Sequence, residues 1–176
     1  WYPKNPNFYH ENYSHLTAEL LKNNFKITFR PHPEFLKRFE VRFNEFCENF
    51  EKNSNFKIDK SKSNLISMEK CEYLITDWSG IAFEFAYTYK RPVIFIEVPK
   101  KILNENYLNF SNKPIEITDR EEIGVILNSK NSQDIFGLIN NLKEKEHDVK
   151  SKIEKNLNKN VYNLKNSSQK IIDIIS

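Results

Sequence analysis

Glycine is scarce in this chain, with 3 among 176 residues. That leaves no room for a GxGxxG fingerprint or a P-loop, so any phosphate site must be built without a glycine-rich loop. Cysteine is scarcer, with only Cys47 and Cys71, each inside an apolar pattern. Two such cysteines exclude a disulfide scaffold and fit a reducing compartment. No apolar run approaches the roughly 20 residues that a membrane-spanning helix requires. No HxxxH or Cys/His ligand spacing and no GxSxG occurs, which argues against a metal centre and a Ser-His-Asp hydrolase. A dense basic stripe with interleaved aromatics is also missing, so nucleic acid is not an expected partner. The length suits one domain with a real core and is too short for two large ones.

What is present is unevenly spread. The formal net charge is +3, and residues 141–176 hold 8 Lys against 5 Asp plus Glu. The rest of the chain therefore sums to zero. One reading of this tail is a solvated, lysine-studded helical surface. The other is attraction to an anionic membrane surface or a polyanionic acceptor.

Along the chain, the first fourteen residues read as an irregular lead-in with Pro3 and Pro6, and Ser14 is placed to cap a helix running to about Asn23. Phe25 to Phe29 alternates with the strand period and stops at Arg30-Pro31-His32-Pro33. From Glu34 to Phe50, phenylalanines recur at three- and four-residue steps, predicting one amphipathic helix of about 17 residues with an aromatic core stripe. Phe56–Ile58 reads as a strand, Leu65–Lys70 as a helix, Tyr73–Thr76 as a strand and Ile81–Tyr89 as a buried helix. Pro92–Ile96 is a continuous apolar run, the pattern of a strand covered on both faces. Pro114–Ile117 reads as a short strand, and Thr118-Asp-Arg-Glu121 as a capping box that opens a helix at Asp119. Helices follow near Gln133–Lys145, Val149–Leu157 and from Ser167, whereas Lys100–Lys113 carries no clear element. Strands alternating with helices predict an α/β, Rossmann-like parallel sheet with helices on both faces. The expected division is a lead-in and first helix over 1–24, then a single domain over 25–176.

In open parallel sheets, ligands bind beyond the carboxyl ends of the strands. Two polar clusters lie there. In Arg30-Pro31-His32-Pro33, a guanidinium fork suits phosphate oxygens and a histidine can donate a hydrogen bond or a proton, while the prolines fix the backbone. The same four residues also describe a rigid turn with a surface histidine. In Thr76-Asp77-Trp78-Ser79-Gly80, the following helix presents first-turn amides to an anion, Ser79 adds a hydroxyl, and Gly80 allows close approach. Asp77 as a plain helix cap explains that cluster equally well. Glu84, one turn into the helix, suits ribose hydroxyls or a polar core contact. Together the clusters, in one sheet, outline a diphosphate pocket.

The chain resembles the CDP-glycerol glycerophosphotransferase family, the wall-teichoic-acid and capsule polymerases of bacteria. Their carboxyl-terminal half carries an RPHP turn, an LITDYSS strand–turn–helix, an FDF helix and a KPIIFY strand. Here Arg30-Pro-His-Pro33, Leu74-Ile-Thr-Asp-Trp-Ser-Gly80, Phe83-Glu-Phe85 and Arg91-Pro-Val-Ile-Phe95 follow in the same order. Asn166-Ser-Ser-Gln-Lys-Ile171 is similar to the family's last helix. The resemblance implies a GT-B fold whose carboxyl-terminal, Rossmann-like domain binds the nucleotide-diphosphate donor. It implies that Arg30 and His32 face the pyrophosphate, that Ser79 and the amides around Gly80 cradle a phosphate, and that Asp77 orders the turn. The reaction would move a polyol phosphate from CDP to a hydroxyl acceptor, a lipid-linked one among the options, without a cofactor or a tightly bound metal. The implied location is the cytoplasm, with peripheral contact at the inner face of the membrane.

The departures are specific. Gly80 replaces the second serine of the family turn, Glu84 replaces the aspartate of FDF, and the Arg-Gly element after the IFIE strand is missing. The other catalytic histidine of the family belongs to an amino-terminal domain, so this chain is expected to be half of a cleft. Two other functions fit the same residues: a GT-B nucleotide-sugar glycosyltransferase or epimerase domain, and a nucleotide-binding module without catalysis.

Overall fold

A computed structural model describes residues 6–98, 113–128 and 134–175, with 106, 109 and 111 as isolated positions. Most of the Lys100–Lys113 stretch therefore lies outside the described residues. Helix α1 (Pro6–Lys22) leads into β1 (Ile27–Phe29), α2 (Pro33–Arg38), α3 (Glu40–Glu48) and β2 (Phe56–Ile58). Then come α4 (Leu65–Lys70), β3 (Leu74–Thr76), α5 (Ile81–Tyr89) and β4 (Val93–Glu97). The short helices α6 (Ile115–Thr118) and α7 (Arg120–Ile123) precede β5 (Gly124–Asn128), and α8 (Ile135–Glu144), α9 (Glu146–Asn160) and α10 (Ser167–Ile175) close the chain.

Every strand pairing is parallel, as the alternation of strands and helices predicts. The strands form two open sheets, β1-β2 and β3-β4-β5, rather than the single hydrogen-bonded sheet expected. Ile27 of β1 and Ile75 of β3 nevertheless pack against the same core cluster, so the sheets share a hydrophobic layer. Strand β4 explains the layering. Ile94 and Ile96 face a cluster made with Leu16 and Leu20 of α1 and Ile135, Ile139 and Leu142 of α8. Val93 and Phe95, on the opposite pleat, face Ala82, Phe85 and Ala86 of α5, Ile123 of α7 and Ile153 of α9. A strand buried on both faces has no polar position before Glu97, which is why its sequence reads as an unbroken apolar run. A third cluster covers β1-β2 with Phe35, Phe43, Phe46 and Cys47, so the aromatic stripe is core.

Several local expectations are corrected. The lead-in is helical from Pro6, and Ser14 sits inside α1 rather than at its cap, its buried hydroxyl without a hydrogen-bond partner. The long phenylalanine helix breaks at Phe39 (φ −135°, ψ 40°), which lets Phe35 on α2 and Phe43 and Phe46 on α3 reach one cluster. Pro114–Ile117 is not a strand. Both edges of β4 are taken by β3 and β5, and the β-branched segment closes a helical turn instead. The capping box does not form, because Thr118 ends α6 and α7 begins with no side-chain cap. Strand β5 was not anticipated. Its Gly124 lies so close to β4 that a Cβ there would collide with the Val93 carbonyl oxygen. Among the described residues no helix is long and apolar enough to cross a membrane.

Candidate functional site

The first cluster closes the end of β1. Arg30 Nη1 makes an ion pair with Asp59 Oδ2 at 2.7 Å and donates to Ser61 Oγ and the Ser63 carbonyl, both at 3.1 Å. Its Nη2 donates to the Ser61 carbonyl at 2.8 Å. The guanidinium thus pins the loop after β2 to the end of β1, a link between adjacent parallel strands that the sequence did not reveal. The Ser61 hydroxyl and amide, then Ser67 and Arg30, stabilise the Asp59 carboxylate and hold its pKa well below the usual range. His32 sits in extended backbone (φ −64°, ψ 135°) as the N-cap of α2, and its Nδ1 accepts from the Glu34 amide at 3.1 Å. With Nδ1 acting as acceptor, a neutral ring carries its proton on Nε2. Pro33 takes the first helical position, where its missing amide costs no bond.

The second cluster closes β3. Asp77 is buried and does not cap α5. Gly80 is the N-cap, in ordinary right-handed geometry (φ −60°, ψ −24°), with no side-chain cap bond. The Ala82 amide bonds the Ser79 carbonyl at 3.2 Å and the Phe83 amide bonds that of Gly80 at 3.1 Å. The amides of Ser79, Gly80 and Ile81 have no acceptor among the described residues, and neither does the Ser79 hydroxyl. These are the orphan donors of a helix start, and they favour a negative charge. Glu84 is exposed and Thr76 half-buried. Burial pushes the Asp77 carboxyl up from its ordinary value, against a hydrogen bond from Tyr13 and the nearby charge of Arg120.

Arg120 is the residue the sequence concealed, because it lies in a Thr-Asp-Arg-Glu-Glu run that looks solvated. Only 6% of it is exposed. Its guanidinium stacks over the Trp78 ring at 4.0 Å and the Phe95 ring at 4.4 Å. Trp78 is in turn anchored by donation from its Nε1 to the Val98 carbonyl at 3.0 Å. The adjacent Asp119 is as deeply buried, yet it accepts from Asn156 at 2.8 Å, Asn160 at 2.9 Å and Lys159 at 3.3 Å. Burial raises its pKa, but these bonds and one from Thr118 outweigh that effect and keep it ionised.

The structure places both clusters at carboxyl ends of parallel strands, but in separate sheets. None of the bonds that hold Arg30 reaches the second cluster. A separate cleft of about 530 Å³, lined by Glu121, Glu122, Lys145, Asp148 and Lys152, opens at the amino end of β5, the wrong end of the sheet for a donor site. Among the described residues no group of three or more His, Cys, Asp or Glu side chains is placed to hold a metal ion. His15 and His147 are exposed.

The profile of the CDP-glycerol:poly(glycerophosphate) glycerophosphotransferase family matches residues 7–176. The chain is also 36% identical over 80 residues to the minor teichoic acid biosynthesis protein GgaB of Bacillus subtilis strain 168. That match covers 45% of the chain and 8% of GgaB, so the chain spans a small part of this relative. No solved structure matches it.

Proposed function

The chain belongs to the CDP-glycerol:poly(glycerophosphate) glycerophosphotransferase family, and from that premise we propose that residues 25–176 are its donor-binding domain. The substrate in this reading is a CDP-activated polyol, CDP-glycerol in the first instance, and the acceptor is a hydroxyl of a cell-surface polymer. One observation carries the reading: a parallel strand ends in a turn whose three successive amides and serine hydroxyl lack acceptors among the described residues, directly before the buried helix α5. Such a turn supplies four donors to a phosphate without a glycine loop.

The residues then take distinct parts. Ser79 and the amides of Ser79, Gly80 and Ile81 hold a diphosphate oxygen. Thr76, Asp77 and Trp78 shape the turn, and Glu84 faces the ribose. The acceptor oxygen forms a bond to the polyol-bearing phosphorus as the bond linking that phosphorus to CMP breaks. CMP departs with the electron pair. His32, with its proton on Nε2, donates to the departing phosphate, and the acceptor's proton passes to a base on the other side of the cleft. Arg30 contributes a cation of fixed position, partly offset by Asp59. Peripheral contact with an anionic membrane is assigned to the lysine-rich tail and to α10, which exposes Ile171, Ile172, Ile174 and Ile175.

Calorimetric titration of the full-length protein with CDP-glycerol, CDP-ribitol and UDP-sugars tests the donor assignment. A preference for CDP ligands is expected. Absence of binding by every cytidine nucleotide sinks it.

A further inference from the structure

Two nitrogens of Arg120, Nε and Nη2, are buried without any hydrogen-bond partner among the described residues. They are not scattered orphans. Nε and Nη2 form one edge of the guanidinium, the edge that presents two parallel N–H groups and pairs with two oxygens of one anion. Unpaired donors on a buried cation are costly, and native proteins rarely keep them without a reason. The comparison with Asp119 shows that this part of the fold can satisfy a buried charge fully when it needs to. Asp77 and Glu97 are near enough to stabilise the Arg120 charge. Neither makes an ion pair with it, and burial favours the protonated form of Asp77.

The position is equally informative. The cation lies over the ring of Trp78, two residues ahead of the α5 cap and next in sequence to Ser79. Arg120 reaches there from α7, which packs with α5 and α9 on one face of the β3-β4-β5 sheet. We propose that the Nε–Nη2 edge of Arg120 is an oxyanion seat, which takes a phosphoryl group of the ligand held at the Ser79 turn. The inference rests on the donor-binding reading for the identity of that ligand, but not for the existence of the seat. Both nitrogens are closed off in the ligand-free chain, so filling the seat alters the surroundings of Trp78 and its fluorescence.

The test uses the full-length protein, titrated with inorganic pyrophosphate, CDP and cytidine by calorimetry, with tryptophan fluorescence in parallel. In the wild type, pyrophosphate and CDP bind, CDP more tightly than cytidine, and both change the tryptophan emission. Arg120→Met keeps an unbranched, apolar stem that still packs beside Trp78 and Phe95, without the charge or the planar fork. It is expected to weaken pyrophosphate and CDP by at least about tenfold and to leave cytidine unchanged. Arg120→Lys keeps the charge without the fork and should fall between the two. A folded Arg120→Met protein that binds CDP and pyrophosphate as the wild type does would falsify the seat, leaving Arg120 a stacked clamp. If that variant does not fold, wild-type affinity in Arg120→Lys overturns the fork. Pyrophosphate binding that depends on Arg120, with no cytidine nucleotide bound, upholds the seat while the donor reading fails. A wild type that binds neither pyrophosphate nor CDP overturns the seat as well.

Discussion

At the end of β1, Arg30 and Asp59 meet at 2.7 Å, and serine groups take the remaining bonds of the two terminal nitrogens. At the end of β3, Asp77 and Arg120 are both buried and form no ion pair, and two nitrogens of the arginine have no hydrogen-bond partner among the described residues. Both ends have one acid and one guanidinium, so residue types alone would rank them alike. The difference lies in saturation. The first end is closed by its own protein groups and holds a loop in place. The second keeps donors in reserve, on Arg120, on Ser79 and on the first amides of α5. A site that must bind an anion has to resemble the second, because saturated donors must be released before they can serve a ligand.

The sharpest way to break this contrast is to remove the cation from the saturated end. Arg30→Ala strands Asp59 and frees the 59–63 loop, so its first effect is on stability. A loss of about 5 °C in Tm is expected, read by calorimetry in the absence of ligand. If the Tm holds while CDP affinity collapses, Arg30 bonds the ligand directly, rather than acting on it as a fixed cation already bonded by the protein, and the contrast between the two ends fails.

Next in size are the groups assigned to the ligand. Ser79→Ala and His32→Ala should each lower polyol-phosphate transfer by about tenfold or more, with Tm changed by no more than a few degrees. His32→Ala also removes the acceptor that caps Glu34, so its Tm should fall further than that of Ser79→Ala. Wild-type turnover in both variants would reduce the two clusters to turns.

The acids at the two ends should answer pH with opposite signs. Hydrogen bonds from Ser61, then Ser67 and Arg30, depress Asp59, so its contribution is present above the ordinary value of 3.8 and is lost as the pH falls through its native value. Burial raises Asp77, so its contribution is present below 3.8 and is lost as the pH rises through its native value. Relative to the wild type, Asp59→Asn should therefore become less stable between about pH 3 and pH 7, and Asp77→Asn more stable. Parallel Tm profiles of the two variants would abolish the distinction.

Much of the scaffold was legible in the chain. Phe56–Ile58, Leu65–Lys70 and Ile81–Tyr89 appear with the predicted bounds, because local periodicity and burial agree in them. The apolar run of β4 was readable for the same reason. What was not legible depended on contacts distant in sequence. Asp119 and Arg120 sit side by side in a charged run and share the same burial. One is satisfied by α9 and the other is stacked on Trp78 and Phe95. No spacing rule separates them. Strand β5 escaped notice because its five residues follow directly on α7, with no turn residue other than the Gly124 that begins the strand. At the candidate site, the motif residues were visible, but the engagement of Arg30 and the unpaired donors at Ser79 were properties of the fold alone.

The smallest effect expected is also the most discriminating for the turn itself. Gly80 stands where the resembling family places a serine, which removes one hydroxyl from the turn, and the glycine itself allows a ligand to approach the backbone. Within the protein itself nothing requires a glycine there. Its backbone is right-handed helical, and a Cβ there would meet nothing within 4 Å. Gly80→Ser should therefore fold as the wild type does, within about 0.5 kcal/mol, since serine is also a better N-cap than its surroundings now supply. If the donor phosphate rests on the amides of this turn, an added hydroxyl gives it a further partner, and CDP should bind about twofold to fivefold more tightly. A serine that instead lowers CDP affinity would mean that the ligand passes close over Gly80 itself. The open end of β3 would then be a narrow seat rather than a broad one, and Arg120 would approach the phosphate from the side opposite this residue.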